Sequence, residues 1–196
     1  MILPPPPRSA HELVVFLVDA AVTRQPWLAA GVDLVVTAAR RSLAAPNHHF
    51  AWVLFDSTVR AVHPEEVAVS GTAIVATARR LLPVNPAPTA LDGGLAAAYD
   101  LSRSFLDRRD DGLPGAVDLL AVVGPGGGCG GEEHLAIASD PRIQLVVVTY
   151  GEPGPTPPGL DVTALTDPPD DPDLGSAWIA ARCRTAGRRR PCLVLG

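Results

Sequence analysis

Two rhythms of apolar residues alternate along this chain. Leu13-Val14-Val15-Phe16-Leu17-Val18 is apolar without a break, the pattern of a strand covered on both faces. Leu28, Val32, Val35, Val36, Ala39 and Leu43 then recur at helical spacing, with Arg40 and Arg41 near the carboxyl end, where cations suit the helix dipole. The unit this predicts is a strand followed by a helix of crossover length. Phe50 to Phe55 predicts the next strand and Thr58 to Val62 a shorter one, with Asp56-Ser57 as the tight turn between them. So short a connection permits only antiparallel pairing, which places a hairpin at one side of an otherwise parallel sheet.

Further along, Thr72 to Leu82 predicts a helix ending in Arg79, Arg80 and Pro83, and Val84 to Pro88 a proline-punctuated loop. Leu91, Leu95, Ala98, Tyr99, Ser102, Phe105 and Leu106 form a second strong helical stripe, with Thr89 at its start. Ala116 to Val123 and Ile143 to Tyr150 read as buried strands. Between them lie the glycine cluster Gly126 to Gly131 and a short helix over Glu132 to Ala138. Strands and helices in alternation predict a three-layer α/β/α fold with a mostly parallel central sheet and one antiparallel edge strand.

The flanks read differently. Pro4 to Pro7 cannot join a helix, so residues 1–12 read as a stiff proline-rich leader and residues 13–196 as one domain. Within that domain, residues 151–173 are proline- and glycine-rich loop, interrupted by a brief strand over Leu160 to Leu165. Leu174 to Ala186 predicts a helix capped by Asp173, and Pro191-Cys192-Leu193-Val194-Leu195 a terminal edge strand, since proline is tolerated at the first position.

Composition narrows the functional classes. A chain of 196 residues with 47% apolar content can bury a continuous core without disulfides. Its net charge of -5 gives no global attraction to nucleic acid. All 16 basic residues are arginine, which excludes Schiff-base chemistry and a lysine-centred phosphate loop. Cys129, Cys183 and Cys192 lack the close paired spacing of a zinc or thioredoxin-like motif, so a reducing compartment is the simpler reading. No stretch approaches the roughly 20 apolar residues of a membrane helix, and the expectation is a soluble protein of the cytoplasm or nucleus.

The strongest chemical signal stands where the first apolar run ends, at Asp19-Ala20-Ala21-Val22-Thr23. An aspartate and a hydroxyl four residues apart at the carboxyl end of a buried strand can share a divalent cation, but the residue between them is alanine. The later strand leads into Gly124-Pro125-Gly126, with no acid in the turn. In their order these pieces resemble the von Willebrand factor A domain, whose metal-ion-dependent adhesion site begins with an aspartate-x-serine-x-serine motif. Asp19 matches that motif, Thr23 is a conservative match and Ala21 departs from it. The family's threonine ahead of a major helix resembles Thr89 in Pro88-Thr89-Ala90-Leu91-Asp92-Gly93-Gly94-Leu95, while Pro125 stands where its next aspartate is expected. Phe55-Asp56-Ser57 and the following Thr58-Val59-Arg60 also resemble the family's second and third strands, and the likeness runs from Leu13 to Tyr150.

The resemblance implies a mostly parallel sheet with one antiparallel edge strand, and a role as a structural part of larger intracellular complexes, DNA-repair and transcription machinery included. The losses imply that no metal is held. A cation bound by Asp19, Thr23 and Thr89 alone would have a single formal negative charge in its shell, poor compensation for stripping water from magnesium. The other reading of Asp19 is a turn residue whose carboxylate caps backbone donors, with Thr23 and Thr89 as local caps. Magnesium at Asp19, Thr23 and Thr89 remains the alternative, with Asp92 reaching it only if the helix start shifts.

Other candidate chemistry is thinner. The glycine cluster lacks a lysine-serine or lysine-threonine pair and reads as a loop. His48-His49 read as a polar start to a strand, and Cys129 has no histidine at motif spacing to make it a nucleophile. Arg182, Arg184, Arg188, Arg189 and Arg190 form the concentrated basic patch, read as a solvated helix end or as a surface for an acidic partner or a nucleic-acid backbone; without interleaved aromatics a single-strand stacking surface is not supported, and with the whole chain acidic the expectation is no nucleic-acid binding through this domain alone. The expectation is a non-catalytic protein-interaction module or scaffold subunit that binds another chain or itself, with Cys192, Leu193, Val194 and Leu195 as a candidate pairing edge. Two alternatives stay open: a cation-dependent ligand-binding domain of the same fold, and an α/β hydrolase or nucleotide-binding enzyme.

Overall fold

The computed structural model of the chain describes residues 11–24, 26–42, 48–66, 69–81, 91–108, 115–124, 136–137, 139–140, 142–150, 164–165 and 193–194. Its strands are β1 (His11–Asp19), β2 (His48–Phe55), β3 (Val59–Glu66), β4 (Gly115–Val123), β5 (Ile143–Tyr150), β6 (Ala164–Leu165) and β7 (Leu193–Val194). The helices are α1 (Pro26–Ser42), α2 (Gly71–Leu81) and α3 (Leu91–Asp107), and a 3-10 turn, Ala20–Arg24, follows β1 directly. The strands lie in the order β3-β2-β1-β4-β5-β6, with β7 also on β5. All pairings are parallel except β2 with β3, so the antiparallel strand is at the edge, as the Asp56-Ser57 turn requires.

Because side chains alternate along a strand, each central strand feeds two cores. Val14, Phe16 and Val18 of β1 join Phe50, Trp52 and Leu54 of β2 beneath α1 and α2. Leu13, Val15 and Leu17 join Val53 and Phe55 beneath α3 on the other face. This explains the unbroken apolar runs: with both faces covered there is no polar position to leave. Full burial of Phe16, Phe55 or Phe105 stabilises by roughly 1.5–3 kcal/mol each.

Helix placement follows from small residues. α2 starts behind Ser70, whose carbonyl accepts from Ile74 N at 3.0 Å and whose hydroxyl accepts from Ala73 N at 3.4 Å. Gly71 lets α2 approach α1, since a Cβ there would lie 2.5 Å from the Cα of Asp33. In α3 the buried Ser102 hydroxyl donates to the carbonyl of Ala98 at 2.6 Å, so its polar group is satisfied inside the helix.

Several boundaries differ from the sequence expectation. β1 starts at His11 rather than Leu13, because Glu12 pairs with His48 and His11 with Gly115 before the apolar run begins. β2 starts at His48 for the same reason. β3 continues beyond Val62 through Pro64 to Glu66, with register shifts against β2 on both sides of its central pairs. Residues 136, 137 and 139 are helical, within and just past the short helix expected there. The leader, the Thr89 loop, the glycine cluster and the helix expected over Leu174 to Ala186 lie outside the described residues.

Candidate functional site

The carboxyl ends of β1, β2 and β4 converge, with Asp19 beside Phe55 in the ladder and Gly124 immediately after β4. Asp19 is 1% exposed. One of its carboxyl oxygens, Oδ1, accepts from the backbone N–H of Ala21 at 2.8 Å, and the other, Oδ2, from that of Gly124 at 3.0 Å. The first bond is local and turns the chain into the 3-10 segment; the second reaches across 105 residues to tie the end of β1 to the end of β4. A Cβ at position 124 would lie 3.2 Å from Oδ2 and 3.3 Å from Val22 Cγ2, so a side chain there would crowd this latch.

Thr23 is fully buried, and its hydroxyl donates to the carbonyl of Ala20 at 2.7 Å. Ala21 offers no oxygen from its side chain. Each Asp19 oxygen thus already accepts from a backbone donor, and the Thr23 hydroxyl gives its proton to its own turn, so a cation would share these oxygens with the backbone through their remaining lone pairs. The structure brings Asp19, Ala21 and Thr23 together; Thr89 and Pro125 lie outside the described residues. Asp92 stands in the first turn of α3. Among the described residues no three His, Cys, Asp or Glu side chains are grouped to hold a metal ion.

A second carboxylate at this edge was noticed in the sequence only as a turn residue. Asp56 is fully buried, and Oδ1 accepts from Thr58 N at 2.9 Å. Its Oδ2 accepts from Arg60 Nε at 2.8 Å and from a terminal guanidinium nitrogen at 2.7 Å. Burial works to raise its pKa, but the Arg60 and Thr58 bonds outweigh it and hold the carboxyl below the usual carboxylate value. With a lowered folded pKa, this group's stabilisation is present above the unfolded value near 3.8 and is lost as pH falls through the folded pKa. Since Arg60 remains 31% exposed, Arg60→Gln is expected to cost only about 1 kcal/mol at pH 7, with the deficit shrinking in acid; urea unfolding at both pH values checks this.

The remaining sequence candidates are dispersed. Leu193 and Val194 pair with Val146 and Val147, so this segment is seated in the chain's own sheet. Cys192, Leu195, Arg188, Arg189 and Arg190 lie outside the described residues, as do Cys129, Arg182 and Arg184. His48 bonds to the carboxylate of Glu12, and the ring of His49 lies 5.6 Å from that of Phe105, centroid to centroid. Asp118, in β4, is the group the sequence reading passed over; an acid inside an otherwise apolar run was the available signal.

No protein-family model matches the chain, and no curated protein does. Solved structures do. A von Willebrand factor type A protein from Catenulispora acidiphila superposes with a TM-score of 0.54 at 12% identity, covering 89% of this chain and 43% of that one. Proximal thread matrix protein 1 from the mussel byssus gives 0.53 at 14% identity, over 74% of this chain and 39% of its own. The N-terminal domain of TFIIH p34 gives 0.53 at 9% identity, over 87% of this chain and 97% of that domain. The chain thus spans less than half of the first two, at 43% and 39%, and nearly all of the third. At these identities the likeness is one of fold: the chain has a von Willebrand factor A-like, mostly parallel α/β architecture.

Proposed function

We propose that this domain is a non-catalytic protein-binding part of an intracellular assembly, built on a von Willebrand factor A-like fold whose cation edge has become structural. The observation that carries the reading is the double commitment of Asp19, with Ala21 N–H on one oxygen and Gly124 N–H on the other. A cation at this edge would have to displace or share both donors, with Ala21 in place of a hydroxyl ligand. The likeness to the p34 domain, which this chain matches along nearly its whole length, supports a role as one piece of a larger entity. No helix among the described residues is long and apolar enough to cross a membrane.

The working surface is then a sheet edge or an outer helix rather than the strand ends. β5 takes one side of Leu193 and Val194, so a partner strand would add along the far side of β7. Calorimetric titration with magnesium, manganese and calcium is expected to show no saturable site at millimolar metal, while capture from native lysate returns a defined partner. A saturable metal signal abolished by Asp19→Ala would replace this reading with a cation-dependent ligand-binding domain.

A further inference from the structure

The opposite end of the sheet carries a group of polar side chains. Glu12, His48, Asp118 and Gln144 each stand two residues before a core position of the face covered by α1 and α2, namely Val14, Phe50, Leu120 and Val146. Alternation therefore puts all four on that face, at the amino-terminal ends of four adjacent parallel strands. The register sets them as two offset pairs: Glu12 is opposite His48, and Asp118 is opposite Gln144 and Val14, two residues further along β1 than Glu12. His48 Nε2 is bonded to a carboxylate oxygen of Glu12. His48 Nδ1 and Gln144 Nε2 are buried and find no hydrogen-bond partner among the described residues.

We propose that Asp118, on the same face as the bonded pair Glu12 and His48, is a pH-sensitive fastening of the sheet's amino-terminal end that holds while Asp118 carries a proton and loosens as the proton is lost. The geometry gives the reason. An ionised Asp118 would be a second carboxylate on the same face as Glu12, whose own carboxylate already holds the His48 imidazole. The charged groups acting on Asp118 are Glu12 from β1 and His48 from β2, while Gln144 from β5 is neutral. Above this face α1 and α2 present Val32, Val35, Val36, Ile74 and Ala78, and the charged α1 side chain described towards that end is Arg40, half-buried.

Burial first, then the charge of Glu12, push the Asp118 carboxyl up to about 6, while His48 pulls it down. A folded pKa above the unfolded value of 3.8 means that stability is fully present below that value and is lost as pH rises through about 6. A shift of that size corresponds at most to about a hundredfold in the folding equilibrium; Asp118 keeps partial access to water, so about tenfold is expected.

Carbon-detected NMR titration of the side-chain carboxyls in the full chain tests this. Asp118 should titrate near 6, with Glu12→Gln moving its midpoint down and His48→Gln moving it up. Urea unfolding adds a second reading: the Asp118→Asn variant should gain about tenfold in its folding constant over the parent at neutral pH and little near pH 4. An Asp118 midpoint in the ordinary carboxylate range, a midpoint unmoved by both neighbouring substitutions, or a stability gap independent of pH would each overturn the proposal.

Discussion

Asp19→Ala is expected to destabilise the domain by about 3 kcal/mol. The substitution removes the acceptor of two backbone donors, Ala21 N–H and Gly124 N–H, at a carboxyl that is 1% exposed, and each buried donor left without a partner costs about 1–3 kcal/mol. Asp19→Asn should recover at most half of the loss, because one oxygen can still accept while the amide nitrogen turns a donor against the other N–H. Urea unfolding in chelator-treated buffer reads both. If Asp19 served a cation and little else, the alanine variant would melt like the parent under those conditions, and a cost below about 1 kcal/mol would contradict the latch.

Gly94→Ala should cost about 2 kcal/mol, whereas its neighbour Gly93→Ala should gain about 0.5–1 kcal/mol. Both glycines lie inside α3, where alanine is the better helix former. At Gly94 a Cβ would sit 2.8 Å from Cδ1 and 2.9 Å from Cγ of Phe55, a fully buried ring at the end of β2 with no room to withdraw. At Gly93 nothing lies within 4 Å, so only the helix preference is felt. Because the overlap at Gly94 is worth more than the preference, the two adjacent substitutions should move the denaturation midpoint in opposite directions. Equal shifts would mean that α3 does not rest on Phe55.

The two-sided strands were legible because a buried parallel strand has no solvent face: Leu13 to Val18 admits no polar residue, and its neighbours repeat the pattern apart from Asp118 in β4. The antiparallel edge was legible from chain length alone, since two residues after Phe55 cannot make a crossover. The local half of the Asp19 latch was also within reach, an aspartate bonding the N–H two residues on. Its other half was not, because Gly124 N–H arrives through the parallel pairing of β1 with β4. The grouping of Glu12, His48, Asp118 and Gln144 was invisible for the same reason: each residue alone reads as a strand terminus or a stray polar position, and only the register of four strands gathers them on one face near one end of the sheet. Starting β1 at Leu13 also hid Glu12, since an apolar run marks where a strand is covered and not where its ladder begins.

β3 has a consequence for the protein in concentrated solution. It borders the sheet, and a bordering strand is a template on which another molecule's strand can grow. Pro64 offers no N–H to such a visitor, and the two register shifts against β2 leave the strand unevenly twisted. Val59 and Val62 stay 38% and 41% exposed along it, enough apolar surface to invite contact but interrupted before a continuous ladder can form. Ordered stacking of molecules through this side is therefore blocked by the chain itself, and Pro64→Thr should make the domain more prone to fibril formation without unfolding it.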